Sequence, residues 1–128
     1  MSANSGVQAR LQLDRADFRL DVALDLPGGQ VSALFGASGS GKTSCLRVLA
    51  GLDRHANAQV VVGGQIWQDS ARGIFVPTHR RALGYVIQES ALFPWLDALG
   101  NVMFSLKRKP GLTDQERRET ADYYLKLV

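Results

Sequence analysis

A single cysteine, Cys45, leaves the chain unable to form an internal disulfide and fits a reducing compartment. Long apolar runs are missing as well. No stretch approaches the roughly 20 residues that a bilayer-spanning helix needs, and Met1 to Gln8 lacks the apolar heart of a signal peptide. A cytoplasmic location is therefore expected. Charge of one sign is scarce: a net +3 suits a polyanionic ligand and is too small to argue for nucleic acid. Internal repeats and low-complexity tracts are also lacking. What remains is 128 residues with 45% hydrophobic and 21% charged, the composition of one modest globular domain with a core.

Against that ordinary background one stretch stands out. Gly36-Ala37-Ser38-Gly39-Ser40-Gly41-Lys42-Thr43 fits G-x-x-x-x-G-K-[ST] at every fixed position. The β-prone run Val31–Phe35 precedes it, introduced by Pro27-Gly28-Gly29. A helical reading from Lys42 to Ala50 follows, with Gly51 as its stop. Strand, glycine-rich loop and helix are the setting of a phosphate-binding P-loop. Glycines let the backbone wrap an anion. Successive N–H groups form a nest, and the helix start adds its positive pole. Lys42 supplies a mobile cation for the outer phosphates, and the Thr43 hydroxyl is placed to bind Mg²⁺. Cys45 falls in the first turns of this helix. The dipole would lower its pKa there, or it is a small buried residue.

The rest of the chain reads as strands, then helices. Val7, Ala9, Leu11 and Leu13 alternate with polar neighbours, as do Phe18, Leu20, Val22, Leu24 and Leu26, with Asp14–Asp17 as a hairpin turn between them. Ala58–Val62 and Gln65–Trp67 flank Gly63-Gly64, a second hairpin. Asp69–Gly73 reads as loop, and Pro77–Arg81 as a basic approach to the uncharged strand Leu83–Ile87. Beyond it, the proline in Ala91–Leu96 disfavours a helix. Asn101–Lys107 predicts a short helix. Thr113-Asp114-Gln115-Glu116 fits a capping box, and Ala121, Tyr124, Leu125 and Val128 share one face of a helix that runs to the last residue without a C-cap. A truncated polypeptide is expected on that ground.

Taken with Gly84-Tyr85-Val86-Ile87-Gln88-Glu89, about 46 residues beyond Lys42, the P-loop stretch resembles the N-terminal part of an ATP-binding-cassette (ABC) ATPase. Asp69–Arg81, and Leu92-Phe93-Pro94 followed by Gly100-Asn101-Val102, are similar to the ATPase subunits of molybdate importers. The resemblance covers about Val7 to Val128. It implies an α/β P-loop NTPase fold: N-terminal antiparallel hairpins, a P-loop strand and helix, an incomplete parallel core sheet, and the start of a helical subdomain. The implied division is a flexible N-terminus over 1–6, a nucleotide-binding subdomain over 7–88, and a Q-loop with the first part of the helical subdomain over 89–128.

The resemblance further implies ATP and Mg²⁺ as cofactors. Gly36, Ala37, Ser38, Gly39, Ser40, Gly41, Lys42, Thr43 and Ser44 would hold the nucleotide. Lys42 would stabilise charge, and Gln88 would join Thr43 at Mg²⁺ or position the attacking water. A membrane permease docking on Ser90–Leu96 and a second ATPase subunit are the implied partners, on the inner face of the plasma membrane, with oxyanion uptake as the task. Phe93 and Trp95 either serve that docking surface or pack inward. Lys107-Arg108-Lys109 faces acidic lipid or a partner, or is a solvated basic loop.

Three features depart from the family pattern. The aromatic residue that stacks on adenine would fall near Leu13, leaving Phe18 as its nearest substitute unless Phe18 is core. Phe93-Pro94-Trp95 stands where Phe-Pro-His is usual. The signature, Walker B, D-loop and switch-histidine motifs cannot be located in these residues, His55 and His79 being too early and better read as surface or loop residues. Weak nucleotide binding or none, and no hydrolysis, is therefore expected of the chain alone. Rival readings are an ABC ATPase for another substrate, a soluble P-loop kinase or NTPase, and a non-catalytic copy.

Overall fold

The computed structural model describes residues 6–89 and 91–128. The expectation of a flexible start over 1–6 falls outside them except at Gly6, as does Ser90 at the head of the expected docking segment. The chain divides into two compact units, Met1–Tyr85 and Val86–Val128.

In the first unit the period-two patterns form the strands they predict. β1 (Val7–Arg15) and β2 (Phe18–Leu26) pair antiparallel, with Arg15 opposite Phe18 and only Ala16-Asp17 between them. β3 (Asn57–Val62) and β4 (Gln65–Asp69) turn through Gly63 at φ +56° and Gly64 at φ +80°. Two consecutive positive φ values are what a type I′ hairpin demands, and glycine supplies them without strain. β1 also pairs antiparallel with β3. The two hairpins thus merge into one sheet of order β2-β1-β3-β4-β5, where β5 is Ile74–Phe75.

One face of this sheet carries the core. Alternation sends Ala9, Leu11, Ala58 and Val60 to the same side, where Trp67 joins them. Cys45 and Val48 of α1 (Lys42–Ala50) close over that layer. A bulge opposite Val60 and Val61 adds one residue to β4. It breaks the alternation, so that Trp67, Gln68 and Asp69 are all buried. The segment read as loop after β4 contains a 3-10 turn at Ser70–Arg72, whose start Asp69 caps by accepting from the Arg72 amide.

Two expected strands are absent, and this corrects the P-loop strand and the incomplete parallel core sheet. Val31–Phe35 and Leu83–Ile87 have no strand conformation, and the sheet is antiparallel throughout. The reason is pairing. A strand's N–H and C=O groups are satisfied only by neighbouring strands, and among the described residues none lies beside either segment. Val31 and Phe35 are consequently 98% exposed, and Val86 is 97% exposed.

The second unit is helical. α2 (Ala98–Leu106) begins three residues earlier than the sequence predicts, because Asp97 accepts from the Gly100 amide at 2.7 Å and caps it. α3 (Asp114–Lys126) opens with the expected capping box of Thr113 and Glu116. The Thr113 amide donating to the Glu116 carboxylate holds that carboxyl below its usual range. The expected unbroken run to Val128 is corrected: the helix ends at Lys126, Leu127 caps it, and Tyr124 and Val128 of the proposed face are exposed. Ala121 alone of that face is fully buried.

Asn101 of α2 fixes the proline-containing stretch before the helix. Its Oδ1 accepts from the Phe93 amide at 2.8 Å. Its Nδ2 donates to the carbonyls of Phe93, Leu96 and Asp97. The Phe93 ring then stacks on Phe104, centroids 4.5 Å apart. Asn101→Ala is expected to cost this unit about 1–3 kcal/mol. Hydrogen exchange checks it, with the Phe93 amide exchanging roughly tenfold faster or more.

Candidate functional site

Gly36 to Ser44 form one continuous cradle. A turn closes within it, the Ser40 amide donating to the Ala37 carbonyl at 3.1 Å. Gly39 at φ +78° takes the third place of that turn, a left-handed position open to glycine. Gly41 at φ +95° is the N-cap of α1. A side chain there would meet Phe18 Cζ at 2.8 Å and Leu20 Cδ1 at 3.1 Å, so β2 packs against the bare glycine backbone. Gly36 has a different reason: a Cβ would lie 2.7 Å from Ser40 Oγ.

The Lys42 ammonium turns back over the loop. It donates to the carbonyls of Gly36 and Ala37, both at 2.6 Å, and lies 3.4 Å from Ser40 Oγ. A cation is thereby held at the mouth of the loop. No side chain caps the start of α1, whose first intrahelical bond runs from the Cys45 amide to the Gly41 carbonyl. The amides ahead of Cys45 have no partner within the helix, and the positive pole adds to them. The arrangement has the chemistry that suits an anion with several acceptor oxygens. Thr43 lies exposed in the first turn beside Lys42, so its hydroxyl fits an oxygen ligand for Mg²⁺ at the edge of a bound polyphosphate. Leu24, Leu26, Leu34, Leu46 and Leu49 line a cavity of about 370 Å³ that reaches Lys42 and Thr43.

The remaining sequence candidates are distributed as follows. Gln88 lies exposed in the second unit, outside any helix or strand. Leu13 is buried in the sheet, so no base can stack at that position; Phe18 is half-buried with its ring edge against Gly41. Cys45 is only 2% exposed, and burial pushes its thiol pKa up, which makes it a core residue and overturns the activated-thiol reading. Phe93 is half-buried, its ring lying 5.1 Å from that of Trp95. Phe93 packs on Phe104, whereas Trp95 and Leu92 stay exposed. His79 is exposed, and His55 is half-buried in the link between α1 and β3.

Sequence reasoning missed Arg81, taken as part of a basic approach to a strand. It is buried among backbone carbonyls beneath α1. The available signal was its position directly before the uncharged stretch Ala82–Ile87, where a solvated cation is out of place. Arg47 and Asp53 were also passed over. They pair through two 2.9 Å bonds across the C-terminal end of α1.

Two outcomes follow for this unit. Gly41→Ala forces a side chain into a left-handed position against Phe18, and is expected to weaken phosphate binding by tenfold or more in equilibrium titration. The second concerns acid. The Arg47 hydrogen bond holds the Asp53 carboxyl below its usual value. Its contribution is therefore present above the unfolded pKa of roughly 4 and is lost as pH falls through the folded value. Asp53→Asn is expected to lower the melting temperature at pH 7 and to leave it unchanged relative to wild type at the acid end of a pH series.

The sequence has named relatives. A family model described as ABC transporter matches residues 20–128. The molybdenum import ATP-binding protein ModC 1 of Azotobacter vinelandii is 57% identical over 103 residues, 80% of this chain and 28% of that protein. The molybdenum import ATP-binding protein ModC of Aromatoleum aromaticum is 54% identical over 128 residues, 100% of this chain and 33% of that protein. Its namesake from Albidiferax ferrireducens is 49% identical over 124 residues, 97% and 33% of the two chains. The chain thus spans about a third of the length of the curated relatives it matches. Since the family model spans most of it and carries the P-loop as well as Gln88, this chain belongs to the ABC transporter family.

Proposed function

We propose that this chain is the nucleotide-binding part of an importer motor that couples ATP hydrolysis to uptake of an oxyanion, molybdate. The observation that carries the reading is the Gly36–Ser44 cradle: an uncapped helix start, left-handed glycines, and Lys42 poised at the loop's mouth. Loop amides and Lys42 bind the β- and γ-phosphates and spread the charge that builds during phosphoryl transfer. Thr43 and Gln88 are the proposed protein ligands of Mg²⁺, an ion that neutralises phosphate charge when bound. Gln88 opens the segment to a permease, and the exposed Leu92 and Trp95 form the apolar part of that docking surface. The relatives' names support molybdate as the cargo. A second ATPase subunit supplies the opposing face of the nucleotide. No helix among the described residues is long and apolar enough to cross a membrane; the proposed place of the chain is the inner membrane face, held there by the permease.

Lys42→Ala tests the reading. Titration of the chain with Mg-ATP is expected to give an affinity that the variant lowers at least tenfold. Molybdate uptake by cells that rely on this protein is expected to fall to background with the same change. Undiminished molybdate uptake alongside a loss of sulfate uptake would reassign the cargo.

A further inference from the structure

We infer that Arg81 is a positioning residue for nucleotide binding, holding the P-loop helix from the end opposite the phosphates. This rests on the reading of Gly36–Ser44 as the nucleotide site. Arg81 is 5% exposed, and no carboxylate is among its hydrogen-bond partners. Every partner is a backbone carbonyl. Nε donates to Val76 at 2.7 Å, Nη1 to Val48 at 3.1 Å and Leu49 at 2.8 Å, and Nη2 approaches the Trp67 carbonyl at 3.4 Å. The rings of Trp67 and Phe75 lie 5.6 and 5.2 Å from the guanidinium carbon.

Burying a cation without a counter-charge is costly, and burial pulls its pKa down. The cost is offset because the negative pole of α1 faces it and four carbonyls solvate it. Those carbonyls belong to three separate segments: the last turn of α1, β4, and the chain just after β5. The fork ties all three. An ammonium, with one nitrogen, cannot reach the same four acceptors. Gly51 makes room for it. That residue ends α1 at φ +79°, and a Cβ on it would lie 2.6 Å from the guanidinium carbon.

The consequence reaches the loop because α1 is a short rigid rod. Nine residues span about 13 Å, so a tilt imposed on Val48 and Leu49 reappears at Lys42 and Thr43. Phosphate recognition by backbone amides tolerates displacements of only about 0.5 Å. Sheet contacts through Cys45 and Val48 hold the middle of the rod. Arg81 sets its far end.

The test compares wild type, Arg81→Met, Arg81→Lys and Gly51→Ala at 10 °C, each first shown to be folded by circular dichroism. Calorimetric titration with Mg-ATP is expected to give tenfold or greater weakening in both Arg81 variants. Amide resonances of Gly39, Gly41 and Lys42 are expected to move in ¹⁵N correlation spectra without ligand. Gly51→Ala, which displaces the fork while keeping it, carries the same expectation should Arg81→Met fail to fold. Affinity within twofold of wild type, with shifts confined to Val48–Leu52, would overturn the inference and leave Arg81 a purely stabilising residue. Wild-type affinity in Arg81→Lys would overturn it too, since the fork would then be dispensable. Failure of the nucleotide reading itself has a different signature: no Mg-ATP binding by the unaltered chain.

Discussion

A nine-residue helix cannot persist by itself in water, because nucleation is unfavourable and too few bonds follow it. α1 exists because Cys45 and Val48 are pressed onto Ala9, Leu11, Ala58, Val60 and Trp67. The placing of the Gly36–Ser44 loop at the start of that helix depends on this burial. The loop before the helix has no regular structure of its own, and its last residue, Gly41, is placed by the helix it caps. The sheet is thus a foundation whose chemistry is apolar and whose product is a polar site at its rim.

The two halves of the chain solve the problem of an irregular segment differently. In the first, glycines absorb the strain: Gly39, Gly41 and Gly51 all sit at positive φ around one helix. In the second, a side chain does the same work. Asn101 serves both the donor and the acceptors of a backbone that Pro94 keeps out of helix, in a stretch where Phe93 is half-buried and Trp95 exposed. The exposed tryptophan is the more informative of the pair. Trp95 thus presents a large ring at the surface beside a half-buried hydrogen-bond network centred on Asn101.

Local patterns were legible in the sequence, and distant pairings were not. Alternation at Val7–Leu13 and Phe18–Leu26 predicts β1 and β2 because a half-buried sheet leaves that period in the residues. The P-loop and the Thr113–Glu116 box are legible because each is a contiguous motif with its own geometry. Val31–Phe35 and Leu83–Ile87 misled because β propensity describes what fits between strands and says nothing about whether strands lie alongside. The bulge at Trp67 was hidden, since it arises from the register of β4 against β3. Arg81 was hidden for a similar reason. Its partners are backbone carbonyls, and a carbonyl has no letter in a sequence.

The missing side-chain cap on α1 carries a cost and a use. A Ser, Thr, Asp or Asn at a helix start is worth only about a few tenths of a kcal/mol over glycine; Gly41 forgoes that and leaves the first amides without a side-chain partner. On the proposed function, those open amides find their partners when the oxygens of a bound phosphate meet them. Occupancy and firmness are then linked. On that reading the first turn of the helix is firmer in a filled cradle than in an empty one.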